Sequence, residues 1–292
     1  MVWLIRMEFE KAFKSIWFLL PLAIGLICSV CSGVQRGLVC ARSLSLSESS
    51  SLTKWFPPYT ASIYNQWLPL DINTAFSDLF FFLAPLLYVT VYAWSYAQES
   101  KCGYLAHMLT RTYRLKYYFI KYLAVFLTGG LVIVIPMLIN LVVLACFIPA
   151  YTPEVFDLVF TYMGMQSAFA EQFYTAPGLY VVLRLILNFL LCGLWAACTL
   201  AISTILRNRI TIMVVPFLLL LVAKQLSDNF FAAMNLSGYM GFGFKMAFTL
   251  FDQLIANGHP YNASLPMTLV CMFIMLVFSV TVPLLAKRRD IL

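Results

Sequence analysis

The chain has 292 residues, of which 62% are hydrophobic and only 11% are charged, whereas an average soluble domain has roughly 25% charged residues. With a mean hydropathy of +0.88, this composition excludes an ordinary soluble domain. It predicts an all-α polytopic membrane protein that forms one domain over residues 1–292. The formal net charge of +7 does not indicate a nucleic-acid partner, because the basic residues lie at the ends of apolar runs.

Residues 1–14 alternate charged with bulky apolar side chains. Ile5 and Phe9 can share one face of a helix, while Arg6 and Glu10 follow each other at i,i+4 on another. This pattern predicts an amphipathic helix that lies flat at the inner membrane surface. A signal peptide is the alternative, but acids in its would-be basic region and the lack of a small-x-small cleavage site favour an uncleaved first span.

Six apolar stretches are long enough to cross a membrane, which takes about 20 residues. They are residues 15–33, 73–96, 122–147, 178–206, 210–226 and 267–286. A long loop with a Ser/Leu-rich patch separates the first two spans. Gly129 and Gly130 in the third span allow close approach of a neighbouring helix. The turn at 207–209 is so short that the fourth and fifth spans must be antiparallel neighbours.

Residues 227–266 are only moderately apolar and are interrupted by glycine and proline. They predict one or two short re-entrant helices in the outer leaflet, buried against protein. Met234, Met240, Phe242 and Phe244 are candidates for an adaptable apolar outer gate, with plain packing as the alternative.

The basic residues are distributed asymmetrically along the chain. With the N-terminus, segment 98–121, the 207–209 turn and the C-terminus on one side, thirteen of the nineteen Lys and Arg residues lie there, with four of the twelve acids. The positive-inside rule then predicts a multi-pass protein of the plasma membrane whose two termini are cytoplasmic.

A few polar residues fall inside or beside the predicted spans. Arg184 and Lys224 are close enough to an outer end to snorkel, and Asp78 is expected at the outer interface or paired with Arg184. An interhelical hydrogen bond is the favoured role of Asn140. For each of these residues, the structural role is favoured over contact with a substrate.

Residues that could support catalysis or a metal site are sparse. Cys28 and Cys31 form a C-x-x-C without further ligands, so helix packing is favoured. His107 and His259 are predicted on opposite sides of the membrane, which argues against a metal site. The sequence has no G-x-x-x-x-G-K-[ST] stretch, so we expect no ATPase site, no catalytic residues and no cofactor in this chain.

Segment 98–121 separates the second and third spans and carries Glu99 together with five basic residues. Apolar residues recur at helical spacing between the charges, which predicts a short interfacial helix. One interpretation is a loop kept basic only to set topology. The other is a docking element that presents an apolar knob to a soluble partner. The apolar residues concerned are Tyr104, Leu105, Met108 and Leu109.

Several features of the chain occur together. They are the amphipathic N-terminal helix, Glu99 and Gly103 followed by Leu109, Arg114 and Lys121, the Ser203, Asn208 and Arg209 arrangement between spans four and five, and the terminal KRRDI. Over nearly its whole length the chain resembles the permease subunits of type-2 ATP-binding-cassette exporters. That family includes bacterial exporters of antimicrobial peptides, drugs and polysaccharides.

The resemblance implies a division of labour between subunits. Residues 99–112 would be a coupling helix seated in a cleft of a separate ATPase, and residues 227–266 would cap the pathway. Two ATPase subunits, which bind ATP and Mg, would work with this permease and a second one, identical or related, in the lipid membrane. The residues implied in coupling are Glu99, Gly103, Tyr104, Leu105, His107, Met108, Leu109 and Arg114.

Force applied to the apolar residues of this helix would rock the two halves of the transporter. Charge reversal at Glu99, or a bulky residue in place of Gly103, is expected to uncouple ATP hydrolysis from transport without unfolding the protein.

Two other functions stay open at this point. One is an immunity or sensing module of the same fold, which resistance without export would favour. The other is an integral-membrane enzyme on lipid substrates, which activity without any ATPase would favour. A passive channel is disfavoured, because no span shows a repeated charged or carbonyl-filter pattern.

Overall fold

The computed structural model describes residues 2–49, 62–71, 74–153, 168–206, 208–233 and 265–289, and every regular element within these ranges is a helix. The predicted all-helical class is confirmed for this part of the chain. In chain order the helices are α1 (Val2–Phe13), α2 (Ile16–Ser49), α3 (Ile63–Gln66), a 3-10 turn (Leu68–Leu70), α4 (Ala75–Thr90), α5 (Ser95–Lys101), α6 (Tyr104–Leu109), α7 (Arg114–Ala145), α8 (Ala170–Thr175), α9 (Pro177–Ile202), α10 (Arg209–Ala233) and α11 (Leu265–Arg289).

Five helical stretches are long and apolar enough to cross a membrane, as expected for a polytopic membrane protein. They are Ile16–Arg42, Ala75–Lys101, Arg114–Ala145, Pro177–Ile202 and Arg209–Leu226. The sixth predicted span, 267–286, lies in α11, whose described apolar stretch Thr268–Leu284 is shorter than these. Six crossings therefore stay a prediction.

The first span is longer than the sequence predicts. Helix α2 runs to Ser49 and not to residue 33, so the start of the predicted outer loop is helical. The glycines at this point do not end the helix, because they are used for packing. A side chain at Gly33 would meet Val143 near the end of α7, and one at Gly37 would meet Phe147, which follows α7.

The boundaries of the second and third spans also differ from the predicted ones. The predicted span 73–96 is divided by a turn at residues 91–94 into α4 and α5. The third span begins at Arg114, eight residues before the predicted start. Its first turns are amphipathic, with Tyr117 and Lys121 buried against the core, and a purely apolar window misses such turns.

The predicted outer region 227–266 is described only at its edges. Residues 227–233 continue α10, which corrects the predicted start of the region, and Leu265 begins α11. The four candidate gate residues, Met234, Met240, Phe242 and Phe244, lie outside the described residues.

Helix α7 lies at the centre of the bundle and packs most extensively against α2 and α9. The contact with α9 is close because both helices have glycine there. A Cβ on Gly129 would lie 2.6 Å from the Cβ of Ala196, and one on Gly193 would lie 2.7 Å from the carbonyl oxygen of Phe126. The predicted role of Gly129 in close helix approach is confirmed.

Polar contacts near the C-terminal end of α7 hold residues 62–71 against the bundle. The indole nitrogen of Trp67 donates to the carbonyl of Met137 at 3.0 Å. The Asn140 amide donates to the carbonyl of Ser29 at 2.8 Å and accepts from the Leu68 backbone N–H at 2.9 Å. Asn140 therefore forms the predicted interhelical hydrogen bond, and α7 connects this end of the bundle to the opposite one.

Candidate functional site

The basic segments that the sequence predicts on one side of the membrane meet at one end of the bundle. The Lys101 ammonium donates to the Asn208 side-chain oxygen at 3.0 Å, which joins α5 to the turn before α10. The Arg209 guanidinium lies between two indoles, 3.6 Å from the ring centroid of Trp17 and 3.5 Å from that of Trp94. This stacking holds the first residue of α10 against α2 and the turn that precedes α5.

A group of four charged residues connects α1, α5 and α7 at the same end. We call Glu8, Lys11, Glu99 and Lys121, with Tyr92, Tyr104 and Tyr117, the ionic cluster. The side chains of Glu8 and Lys121 are fully buried, and their charged atoms lie 3.7 Å apart. The Tyr92 hydroxyl donates to Glu8 at 2.9 Å. These contacts compensate two charges that would be costly to bury alone.

Glu99 brings the predicted coupling segment into this cluster. Its carboxylate accepts hydrogen bonds from the Lys121 ammonium and the Tyr117 hydroxyl. The ammonium of Lys11 lies 3.9 Å from Glu99 and 3.6 Å from Glu8. Two acids and two bases thus balance each other, and α5 is held to both α1 and α7.

Tyr104 extends the cluster to α6. Lys11 donates to the Tyr104 hydroxyl at 3.2 Å, and its ammonium also lies 4.3 Å from the centre of the Tyr104 ring. Burial lowers the pKa of Lys11, but the Tyr104 hydrogen bond and the carboxylates of Glu8 and Glu99 outweigh it and raise the pKa above the usual value. Lys11 therefore stays charged at neutral pH.

Gly103 forms the joint between α5 and α6. Its φ of 71° lies in the left-handed region, which glycine adopts without strain and other residues adopt at a cost of roughly 1–2 kcal/mol. No atom lies within 4 Å of the place where its Cβ would be. Glycine is required here by the backbone conformation and not by crowding.

The apolar residues of α6 point into the protein, which corrects the predicted apolar knob. Leu105 and Met108 are 9% and 8% exposed and belong to the core, and Tyr104 and Leu109 pack against it. An amphipathic helix buries its apolar side against whatever apolar surface is nearest, and here that surface belongs to the same chain. The sequence pattern locates this face but does not identify what covers it.

The outward face of this segment is small and polar. Its exposed residues are Lys101, Cys102, Gly103, Ala106, His107, Thr110 and Arg111. Of the predicted coupling residues, Gly103 and His107 are therefore open to a partner, whereas Glu99 holds the segment to the bundle. Arg114, the first residue of α7, is partly buried.

The burial of Glu99 also changes the expected effect of reversing its charge. A base in place of Glu99 would lie against the buried ammonium of Lys121, and an uncompensated buried charge costs several kcal/mol. We therefore expect charge reversal at Glu99 to destabilise the protein, contrary to the prediction from sequence.

The charged residues predicted near the outer ends have different environments. Arg184 is 1% exposed, so its predicted snorkelling to the surface is wrong. The Tyr180 hydroxyl accepts a hydrogen bond from it. Asp78 is exposed and Lys224 is partly buried.

Across the described ranges, no three His, Cys, Asp or Glu side chains come close enough together to hold a metal ion.

Sequence reasoning missed most of the ionic cluster. Of its members, Glu8, Lys11, Tyr92 and Tyr117 have no role predicted from the sequence. One signal was available, because Tyr117 and Lys121 are four residues apart and so share a helix face. The pairing of Glu8 with residues 84 to 113 positions away has no local sequence signal.

Comparisons with protein-family models, with curated proteins and with solved structures find no match for this chain.

Proposed function

We propose that the chain is the membrane-spanning permease subunit of an ATP-driven exporter, in which residues 99–112 receive force from a separate cassette ATPase. The observation that carries this proposal is the ionic cluster. It joins the segment that would meet the ATPase to α1 and α7 through buried ion pairs and hydrogen bonds. A loop attached only by its ends would move without moving the bundle, whereas this segment cannot shift without its partners.

Helix α7 supplies a path from the cytoplasmic segment to the outer end. It has 32 residues and is therefore about 48 Å long at 1.5 Å per residue. Lys121 near its beginning binds Glu99, and Met137 and Asn140 near its end bind residues 62–71. Tilting α7 as a rigid body would carry a displacement at the ATPase to the outer opening.

The surface offered to the ATPase is the exposed side of α6 and the joint before it. Ala106 and His107 face outward there, beside Cys102 and Gly103. We propose that this face enters the ATPase cleft while the apolar face stays packed on the chain itself. The transported substrate would be a peptide antibiotic, a drug or a lipid-like molecule, and a second permease would complete the pathway.

A tryptophan at Ala106 tests the proposal, with Ala145→Trp as the matched control. Both alanines are exposed, and they lie at opposite ends of the bundle. The full chain is purified from its native membranes into nanodiscs, and ATP hydrolysis by the preparation is measured. We expect Ala106→Trp to lower hydrolysis per permease by about tenfold or more, since blocking a contact worth roughly 1.4 kcal/mol has that effect. Ala145→Trp should leave hydrolysis unchanged.

Two outcomes would contradict the proposal. One is a wild-type preparation, monodisperse and fully helical, that hydrolyses no ATP. The other is equal hydrolysis by both variants.

A further inference from the structure

An apolar groove lies between the first turns of α7 and the last turns of α11. Its volume is about 540 Å³, within the roughly 300–1,000 Å³ of small-molecule sites. Each helix contributes residues at helical spacing, so one face of each forms a wall. The wall residues are Leu115, Phe119 and Tyr122 of α7 and Leu276, Val280 and Leu284 of α11.

The groove is open to the surroundings of the bundle. Phe119 is 63% exposed, and Leu115, Leu276 and Val280 are each about half exposed. At its base, two tyrosine hydroxyls are already used to hold the helices together. Tyr118 donates to the Ser279 carbonyl at 3.4 Å, and the Tyr122 hydroxyl lies 3.3 Å from the Ser279 hydroxyl. An occupant would therefore meet apolar walls and not free hydroxyl groups.

A basic side chain lies at the edge of this groove. Lys116 lines it and is exposed, and Arg114 comes two residues earlier. In the sequence, Lys287, Arg288 and Arg289 come soon after the groove residue Leu284, and Asp290 follows them. Neither residues 113–122 nor residues 276–289 contain Asp or Glu. Apolar walls with a lysine at their edge fit an occupant that combines an apolar chain with a negative group.

We propose that the groove is a binding site for an anionic phospholipid of the bilayer. One acyl chain lies between Phe119 and Val280, and the phosphate lies at Lys116. This groove is at the same end of α7 as the ionic cluster, where the positive-inside rule predicts the cytoplasmic leaflet, which carries the anionic lipids. Lipid binding here does not depend on the proposed transport function.

Native mass spectrometry of the full chain, released from nanodiscs of equal phosphatidylglycerol and phosphatidylcholine content, tests the site. Wild-type chain should retain phosphatidylglycerol in preference to phosphatidylcholine. Val280→Trp fills the groove, and Val270→Trp on the same helix is its control, because both valines are about half exposed. We expect only Val280→Trp to lose the retained lipid.

Lys116→Glu tests the charged half of the site without filling the groove. Reversing this exposed charge should lower phosphatidylglycerol retention by at least about fivefold, the factor expected for one basic residue at an anionic lipid surface. Lys14→Glu, at an exposed lysine of the same predicted membrane face, should leave retention unchanged.

Equal retention of both lipids by the wild-type chain would overturn the proposal. So would equal retention by Val280→Trp and Val270→Trp, or by Lys116→Glu and Lys14→Glu. A wild-type chain that is recovered as a lipid-free dimer, and that Val280→Trp converts to a monomer, would assign the groove to a second copy of the chain instead.

Discussion

At the residue scale, the buried charges of the ionic cluster are its most consequential feature. Glu8 and Lys121 are fully buried and lie in contact with each other and with two tyrosines. Removing one member of a buried ion pair destabilises a protein by far more than the intact pair stabilises it, since the remaining charge is left uncompensated. The stability of this end of the bundle therefore depends on all four charges being present together.

Glu8→Gln measures this dependence, with Glu10→Gln as its control on the same helix. Glu8 is fully buried, whereas the Glu10 side chain is 49% exposed and pairs with Arg6 and Lys14 at the surface. We expect Glu8→Gln to lower the free energy of unfolding by about 3 kcal/mol or more. The measurement is reversible unfolding of the purified chain in mixed micelles. Equal effects of the two substitutions would show that the cluster does not stabilise the fold.

Residue identity alone did not reveal this cluster. The i,i+4 spacing of Arg6 and Glu10 predicts that they share a helix face, and the structure confirms that they pair. Glu10 also pairs with Lys14, four residues further on. Helical spacing cannot predict the contact between Glu8 and Lys121, because this contact forms only when two helices that are far apart in the sequence pack together. Local pairs follow from helical spacing, whereas long-range pairs follow from the packing of the bundle.

At the element scale, the contact between α7 and α9 depends on glycine. Gly193 faces the backbone of α7, and its substitution would bring a Cβ to 2.7 Å from the Phe126 carbonyl oxygen. That neighbour is backbone and cannot rotate away. The two helices must therefore separate to accept even one methyl group.

Gly193→Ala should consequently lower the free energy of unfolding by about 1–3 kcal/mol, the usual cost of overpacking. Gly178→Ala in the same helix is the control, because a Cβ there would meet no atom within 4 Å. It should be neutral or slightly stabilising, since alanine favours helix more than glycine does. Thermal unfolding followed by circular dichroism in detergent distinguishes the two. A Gly193→Ala variant as stable as Gly178→Ala would contradict this packing.

The existence of the elements follows well from sequence, but their ends and orientation do not. The described residues of each predicted span are mostly helical, because a helix satisfies its own backbone hydrogen bonds inside a membrane. The end of α2 was missed because Gly33 and Gly37, which resemble helix terminators in sequence, serve packing against the end of α7 and the residues that follow it. The orientation of α6 was missed because amphipathic spacing does not say whether the apolar face meets a partner or the chain itself.

At the scale of the whole molecule, the two ends of α7 have different chemistry. One end carries the ionic cluster and the exposed face of α6, and the other holds Trp67 and Asn140 against residues 62–71. Because α7 joins both groups of contacts, a displacement at one end would be carried along it to the other. Which end faces the cytosol was predicted from charge alone, and which protein supplies the force was predicted from resemblance.

The chain contains two cysteines suited to testing both predictions at once. Cys102 is exposed beside Gly103, and Cys146 is exposed just after the opposite end of α7. The remaining cysteines are buried or partly buried. Variants that retain only Cys102 or only Cys146 therefore place the same reactive group at the two ends of the molecule.

The most direct measurement is photo-crosslinking in native membranes from a thiol-reactive photoprobe attached to each of these cysteines. The crosslinked peptides are identified by mass spectrometry. Our account predicts that Cys102 is joined to a protein that contains a G-x-x-x-x-G-K-[ST] nucleotide-binding stretch and that Cys146 is not. If Cys102 yields no such adduct while Cys146 does, or if neither does, this segment does not receive force from an ATPase.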